Sequence, residues 1–124
     1  MTQAGAEGTG PTDCLFCRIV RRELPAEIVE ENELALAFRD IAPVAPTHVL
    51  VVPRAHVRDA SVLDREHGPL LAELAATARR VAEREGVAAS GYRLVFNVGE
   101  DASNSVPHLH LHVIGGRRLG WPPG

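Results

Sequence analysis

The sequence has 124 residues, 45% hydrophobic and 23% charged, with a net charge of −3 at pH 7, which is typical of one globular domain and excludes a collagen-like, coiled-coil or wholly disordered chain. The acidic balance argues against a dedicated nucleic-acid-binding protein, and the chain lacks an apolar run near the roughly 20 residues that cross a bilayer. The N-terminal residues have neither a basic start nor an apolar stretch, so we expect no secretion signal and a cytoplasmic location.

The first half of the chain predicts one short helix and three strands. Residues 1–12 are rich in glycine and predict a disordered leader ahead of one compact domain over residues 13–124. Asp13 is placed to cap a short helix over residues 14–22. Apolar runs bounded by turn residues and prolines then predict strands over residues 26–31, 34–40 and 47–53.

The second half predicts one long helix and two further strands. The helix begins near Gly68, because Pro69 suits a first helical position, and Gly86 marks its end. Apolar residues between Leu70 and Ala82 recur at helical spacing. Strands follow over residues 92–98 and 108–116. This order of elements predicts an α+β fold with an antiparallel sheet and the helices on one of its faces.

Histidines occupy every second position between residues 108 and 112. Because side chains alternate along a strand, His108, His110 and His112 are predicted to share one face, with apolar residues on the other. The row is open to three interpretations: a surface face, a set of metal ligands, or phosphate chemistry with one imidazole as nucleophile and another as proton donor. The polar loop over residues 97–105 favours phosphate chemistry, although an ordinary hairpin loop explains it equally well.

Residues 108–114 match the His-x-His-x-His-x-x motif, with apolar x, and here the chain resembles the histidine-triad superfamily of nucleotide hydrolases and transferases. Residues 35–56 resemble the family's central segment, residues 91–116 its C-terminal half, and residues 115–124 the tail of the Hint branch, the nucleoside phosphoramidases. The resemblance covers residues 13–124. It implies the HIT-like fold: a five-stranded antiparallel sheet with one long and one short helix, which dimerises into a ten-stranded sheet.

The resemblance also implies roles for individual residues. His110 attacks the α-phosphorus and carries the nucleotide, His112 contacts the phosphate, and His48 belongs to the same hydrogen-bond network. The implied substrate contacts are Asn97 and the backbone near Val106 at the phosphate, Ser105 at the leaving group, Asp40 at the ribose, and Phe38 and Ile41 at the purine. In a Hint-like homodimer, Trp121 crosses to the partner and borders its pocket.

Cys14 and Cys17 form a Cys-x-x-Cys pair, which is half of the ligand pattern of a zinc site. A redox pair is disfavoured because no βαβ pattern surrounds them. His56 and His108 are the candidates to complete a tetrahedral structural zinc site, and the resemblance to bacterial histidine-triad proteins that carry the cysteine pair implies the same set. The alternative is two reduced cysteines packed under the first helix. No organic cofactor is expected.

The resemblance implies an enzyme that hydrolyses a purine nucleoside phosphoramidate, or a related adenylate, to the monophosphate. A dinucleoside polyphosphate hydrolase of the Fhit kind is the first alternative, although Ser105 and the tail favour the Hint kind. A nucleotide-binding or scaffold protein with incidental hydrolysis is the second. A sugar-phosphate transferase is disfavoured, since His112 stands where those enzymes carry glutamine. The expected partners are a purine nucleotide and a second copy of the chain, without membrane or nucleic acid.

Overall fold

The computed structural model of the protein describes residues 13–124, so the predicted leader over residues 1–12 lies outside the described residues. The two α-helices are α1 (Leu15–Val20) and α2 (Gly68–Arg84). The strands are β1 (Ile28–Glu31), β2 (Ala35–Arg39), β3 (Thr47–Pro53), β4 (Tyr92–Val95) and β5 (Leu111–Gly115). Within residues 13–124, no helix is long and apolar enough to cross a membrane.

The five strands form one antiparallel sheet in the order β1-β2-β3-β5-β4, which confirms the predicted fold class. The central strand, β3, is buried at every position, as expected for its continuous apolar run. Its register places Leu50 opposite Phe38 of β2 and His112 of β5. These three side chains therefore lie on the same face of the sheet.

The helices cover opposite faces of the sheet. On one face, α2 packs Leu74, Ala78 and Val81 against alternate residues of β2, β3 and β5. On the other face, α1 packs Phe16 and Val20 against a cluster that also contains Leu36, Phe38, Leu50 and Val52. The prediction that both helices share one face is therefore wrong for α1. Since β2 and β3 are apolar at successive positions, each of their faces needs cover from water.

Two elements have boundaries that differ from the predicted ones, and both differences concern the cysteines or the histidines. The N-cap of α1 is Cys14 and not Asp13, because the Cys14 sulfur accepts a hydrogen bond from the Cys17 backbone at 3.4 Å. Strand β5 begins only at Leu111, so His108 and His110 precede it. The alternation nevertheless continues through them, because Leu109 and Leu111 join the cluster under α2.

Candidate active site

A cavity of about 500 Å³ lies between α1 and the histidine-bearing face of the sheet. It has apolar walls from α1, β2 and β3, and polar groups from the loop before β5 and from the histidine row. The predicted site residues that line it are Phe38, Asp40, Ile41, Asn97, Ser105, Val106, His110 and His112.

His110 has one ring nitrogen bonded to the backbone and the other available to a ligand. Its Nδ1 lies 2.7 Å from the carbonyl oxygen of His108. Because a carbonyl oxygen only accepts hydrogen bonds, Nδ1 carries the proton, and in the neutral ring Nε2 keeps its lone pair. The ring is half-buried and packs edge-on against Phe16, with centroids 5.1 Å apart. His110 therefore presents an Nε2 lone pair that is not used by the backbone bond.

His48 and His112 form a hydrogen-bond relay in which both rings carry the proton on Nε2, whereas His110 carries it on Nδ1. The Val44 backbone N–H donates to His48 Nδ1 at 3.1 Å, so the proton of neutral His48 is on Nε2. His48 Nε2 lies 2.9 Å from His112 Nδ1, which accepts and leaves the His112 proton on Nε2. That Nε2 is buried without a hydrogen-bond partner among residues 13–124. The ring centroid of His112 lies 5.0 Å from that of His110, so an N–H donor and a nitrogen lone pair lie side by side.

The relay requires neutral rings, and burial provides them. Burial, with smaller contributions from His110 and His48, lowers the pKa of His112 to about 4, against an opposing effect of Asp40. Burial also lowers the pKa of His48, again opposed by Asp40. At neutral pH both rings are therefore uncharged, and His48 Nδ1 is able to accept from Val44.

Asp40 follows β2 at the edge of the cavity and is only partly engaged. One carboxylate oxygen accepts the Ala42 backbone N–H at 2.8 Å, and the other lies 3.4 Å from His48 Nε2. His48 Nε2 is closer to His112 than to this oxygen, which supports the relay described above. A carboxylate has about four acceptor positions, so Asp40 retains capacity for donors of a ligand.

Two residues predicted for the site lie outside the cavity lining. His48 is buried behind His112 and acts on it through the relay. Trp121 is 83% exposed and lines a different groove of about 790 Å³, together with Val44, Leu94 and Arg117. Trp121 therefore does not border the histidine cavity of its own chain.

The residues predicted as metal ligands lie together at the N-terminus of α1. The ligand atoms of Cys14, Cys17, His56 and His108 all lie within 4.8 Å of one another, and the two cysteines are unbridged. Three sulfur–nitrogen distances are 3.3, 3.4 and 3.5 Å. A tetrahedral ion with zinc bonds of about 2.3 Å to sulfur and about 2.0–2.1 Å to nitrogen separates those ligands by about 3.5–3.6 Å, so the donor set fits zinc.

His108 is held in the orientation of a metal ligand. Its Nε2 donates to the carbonyl oxygen of Pro53 at 2.9 Å, which leaves the Nδ1 lone pair facing the two sulfurs. Burial lowers the pKa of His108 to about 4, so this ring is neutral. Burial and the neighbouring Cys14 raise the pKa of the Cys17 thiol to about 12, so a thiolate there requires a cation beside it.

Comparison with known proteins assigns these features to a family. The family model described as the HIT domain matches residues 21–119, which is most of the chain. The chain belongs to the HIT family. An uncharacterized HIT-like protein of Synechococcus elongatus is 47% identical to it over 112 residues, 90% of this chain and 97% of that protein. The purine nucleoside phosphoramidase of Escherichia coli is 41% identical over 108 residues, 87% of this chain and 91% of that protein.

Solved HIT structures agree with the fold. A HIT family hydrolase from Legionella pneumophila has a TM-score of 0.88 and 46% identity, and the match covers 90% of this chain and 100% of that one. A HIT family hydrolase from Clostridium thermocellum has a TM-score of 0.87 and 40% identity, covering 90% and 96%. The resemblance inferred from the histidine motif is therefore confirmed, and the protein is a HIT-family hydrolase.

Several cavity residues of this HIT domain were not predicted from the sequence. Leu15, Phe16 and Ile19 of α1 line the cavity, as do Leu50 of β3 and the segment over residues 24–26. The signal was present in the cysteine pair: if Cys14 and Cys17 meet His108, α1 must cover the histidine face. The backbone groups that set the tautomers, the N–H of Val44 and the carbonyl of His108, carry no sequence signal, because every residue has a carbonyl and every residue other than proline has an N–H.

Proposed function

We propose that this protein hydrolyses purine nucleoside 5′-phosphoramidates to the nucleoside monophosphate through a nucleotide covalently bound to His110. The observation that carries the proposal is the pair of complementary tautomers. His110 offers an Nε2 lone pair, and His112 beside it offers an Nε2–H that has no partner among the described residues. A nucleophile and a donor to developing negative charge are the two groups that attack on phosphorus requires.

In the first step, His110 Nε2 bonds to the α-phosphorus and the bond from phosphorus to the leaving nitrogen breaks. The leaving nitrogen takes up a proton, and Ser105 on the cavity wall is the candidate to deliver it. His112 Nε2–H and Asn97 would donate to the non-bridging oxygens. In the second step, water attacks the phosphorus, its proton restores the Ser105 hydroxyl, and the bond to His110 breaks, which releases the monophosphate and the free ring.

The rest of the cavity suits a nucleoside. Its volume of about 500 Å³ lies within the usual range for small-molecule sites, and its walls are largely apolar. Phe38 and Ile41 would cover the flat base without burying charge. The Asp40 carboxylate would accept hydrogen bonds from the two ribose hydroxyls with the capacity that Ala42 leaves. In this proposed pose the phosphate would lie toward His110 and His112.

We further propose a structural zinc ion held by Cys14, Cys17, His56 and His108, which the spacing of their ligand atoms supports. When bound, zinc would supply cross-linking of the α1 N-terminus to the histidine segment, and no reaction chemistry. Phe16, between the two cysteines, packs against both His108 and His110. Reduced thiols at such a site are consistent with the expected cytoplasmic location.

We also propose a homodimer formed through β4. This strand is at one edge of the sheet, where its backbone groups are available to a second strand, and Leu94 on it is exposed. Pairing of two β4 strands would give the ten-stranded sheet that the family resemblance implies.

A substrate panel followed by phosphorus NMR tests the proposed reaction. The panel contains adenosine and guanosine phosphoramidates, an amine-substituted adenylate and a diadenosine polyphosphate, each with wild-type protein and with His110→Ala. Faster turnover of the phosphoramidates, lost in His110→Ala, is the expected result. Faster turnover of the dinucleotide would replace the proposal by a dinucleoside polyphosphate hydrolase. Nucleotide binding without turnover would replace it by a binding or scaffold role.

A further inference from the structure

Arg117 connects the C-terminal tail to the loop that sets the histidine relay. Its Nε donates to the carbonyl oxygen of Val44 at 3.0 Å, and a terminal nitrogen donates to the carbonyl oxygen of Arg118 at 3.0 Å. The planar guanidinium fixes the directions of both bonds at once. Val44 is also the residue whose N–H donates to His48 Nδ1. One residue of this loop thus contacts both Arg117 and the relay.

The loop over residues 40–46 has few backbone donors with which to hold itself. Pro43 and Pro46 have no N–H, so Val44 and Ala45 supply the backbone donors of residues 43–46. The tail passes close to this loop: a Cβ at Gly116 would lie 2.9 Å from the Cβ of Pro46, and Gly116 has a φ of +92°. This close approach brings Arg117 to the Val44 carbonyl.

We propose that Arg117 is a positioning residue for the catalytic histidines. By holding the Val44 carbonyl it keeps the Val44 N–H on His48 Nδ1, and His48 in turn keeps the proton of His112 on Nε2. Without Arg117, Val44 loses the bond that anchors its carbonyl, so its N–H is free to move away from His48, and His48 Nδ1 is open to protonation. His48 Nε2 would then accept, and His112 would hold its proton on Nδ1 and present a lone pair to the phosphate. The role of His112 toward the phosphate rests on the proposed function. The tautomers of His48 and His112, in contrast, are properties of the protein without substrate.

Nitrogen NMR of the imidazole rings in the free protein tests the tautomers directly. Wild-type protein should carry the proton on Nε2 in His48 and His112, and on Nδ1 in His110. In Arg117→Met, His48 and His112 should gain a population with the proton on Nδ1, while His110 keeps its tautomer because the His108 carbonyl fixes it. Arg118→Met removes the same charge one position along the exposed tail and should leave all three rings unchanged.

Activity supplies the second measurement. Loss of one hydrogen bond of ordinary strength corresponds to about a two- to tenfold change, so kcat for the phosphoramidate should fall by about that factor in Arg117→Met with little change in KM. Arg117→Lys keeps a donor and a charge and should restore both the tautomers and kcat. Arg117→Gln, which is too short to reach Val44, serves as the second test if Arg117→Met does not fold.

Unchanged His48 and His112 tautomers in folded Arg117→Met or Arg117→Gln would overturn the inference, as would equal changes in Arg118→Met. The failure of the proposed function has a different signature. In that case wild-type protein lacks phosphoramidate turnover, and the nitrogen NMR of the free protein still reports whether Arg117 sets the tautomers.

Discussion

The carbonyl oxygen of His108 lies 2.7 Å from the Nδ1 of His110, so a candidate metal ligand also orients the candidate nucleophile. The His108 ring faces the cysteine sulfurs while its backbone faces the next histidine of the row. The two sites are therefore mechanically connected through one residue. Anything that moves His108 should also move the Nε2 lone pair of His110.

Replacing His110 by alanine removes the proposed nucleophile. We expect turnover of a purine nucleoside phosphoramidate to fall by roughly 10³–10⁶-fold. Nucleotide binding should persist, because the contacts proposed for Asp40 and Asn97 are unchanged. Intact-mass spectrometry of wild-type protein during turnover should detect a nucleotidyl adduct, and peptide mapping should locate it on His110. Substantial activity in His110→Ala, or an adduct on His48 or His112, would contradict the assignment.

Zinc should bind with about one ion per chain and with zinc–sulfur distances of about 2.3 Å in X-ray absorption spectra. Chelation should lower the thermal stability and speed hydrogen exchange in residues 14–20, because convergence of the ligands is coupled to folding. His56→Ala should lose most of the zinc, whereas His67→Ala, a histidine outside the cluster, should retain it. Protein purified without chelator that contains no metal would refute the site.

Acid should destabilise the folded protein through His112. Its pKa is about 4 when folded, below the ordinary value of 6.5, so between these values the unfolded chain binds a proton that the folded chain does not. The contribution of His112 to the free energy of unfolding is therefore fully present above pH 6.5. As the pH falls toward 4 this contribution is lost, which lowers the free energy of unfolding by about 1–3 kcal/mol. Denaturant titrations at several pH values between 4 and 6.5 give the free energy of unfolding at each pH. This free energy should change less with pH in His112→Gln than in wild type. Equal changes would show that His112 is not buried as a neutral ring.

A dimer joined through β4 should be sensitive to charge at that edge. Light scattering at micromolar concentration should give the mass of two chains for wild type and of one chain for Leu94→Asp. Leu71→Asp is the matched control, because Leu71 of α2 is 39% exposed and Leu94 is 43% exposed, on a different surface. A monomeric wild-type protein would count heavily against the dimer.

Deletion of residues 119–124 should change the preference among leaving groups more than the stability. Trp121 is exposed and lies outside the cavity of its own chain, so its loss removes little burial. In the proposed dimer it would border the cavity of the partner, next to the departing group. Competition between phosphoramidates with small and bulky amines measures the preference, and thermal unfolding provides the comparison. An unchanged substrate profile would exclude this role for the tail.

Local patterns in the sequence determined much of this protein. The alternation around His110 put three histidines on one face and Leu109 and Leu111 on the other, even though β5 begins later than predicted. The helical spacing after Gly68 and the apolar run of β3 located two elements where the structure has them. Such patterns are reliable because they depend on neighbours in the chain and on which side chains must avoid water.

The tertiary structure decided the side of the sheet on which α1 packs, and with it the cavity walls formed by Phe16 and Ile19. The sequence indicated that side only indirectly, through the cysteine pair. Helix α1 reaches its place through Cys14, whose sulfur lies 3.4 Å from His108, a residue 94 positions away in the chain. The tautomers were likewise fixed by backbone groups brought together by folding, at Val44 and at His108. Contacts between residues so distant in the chain depend on how whole elements pack, and no local periodicity encodes them.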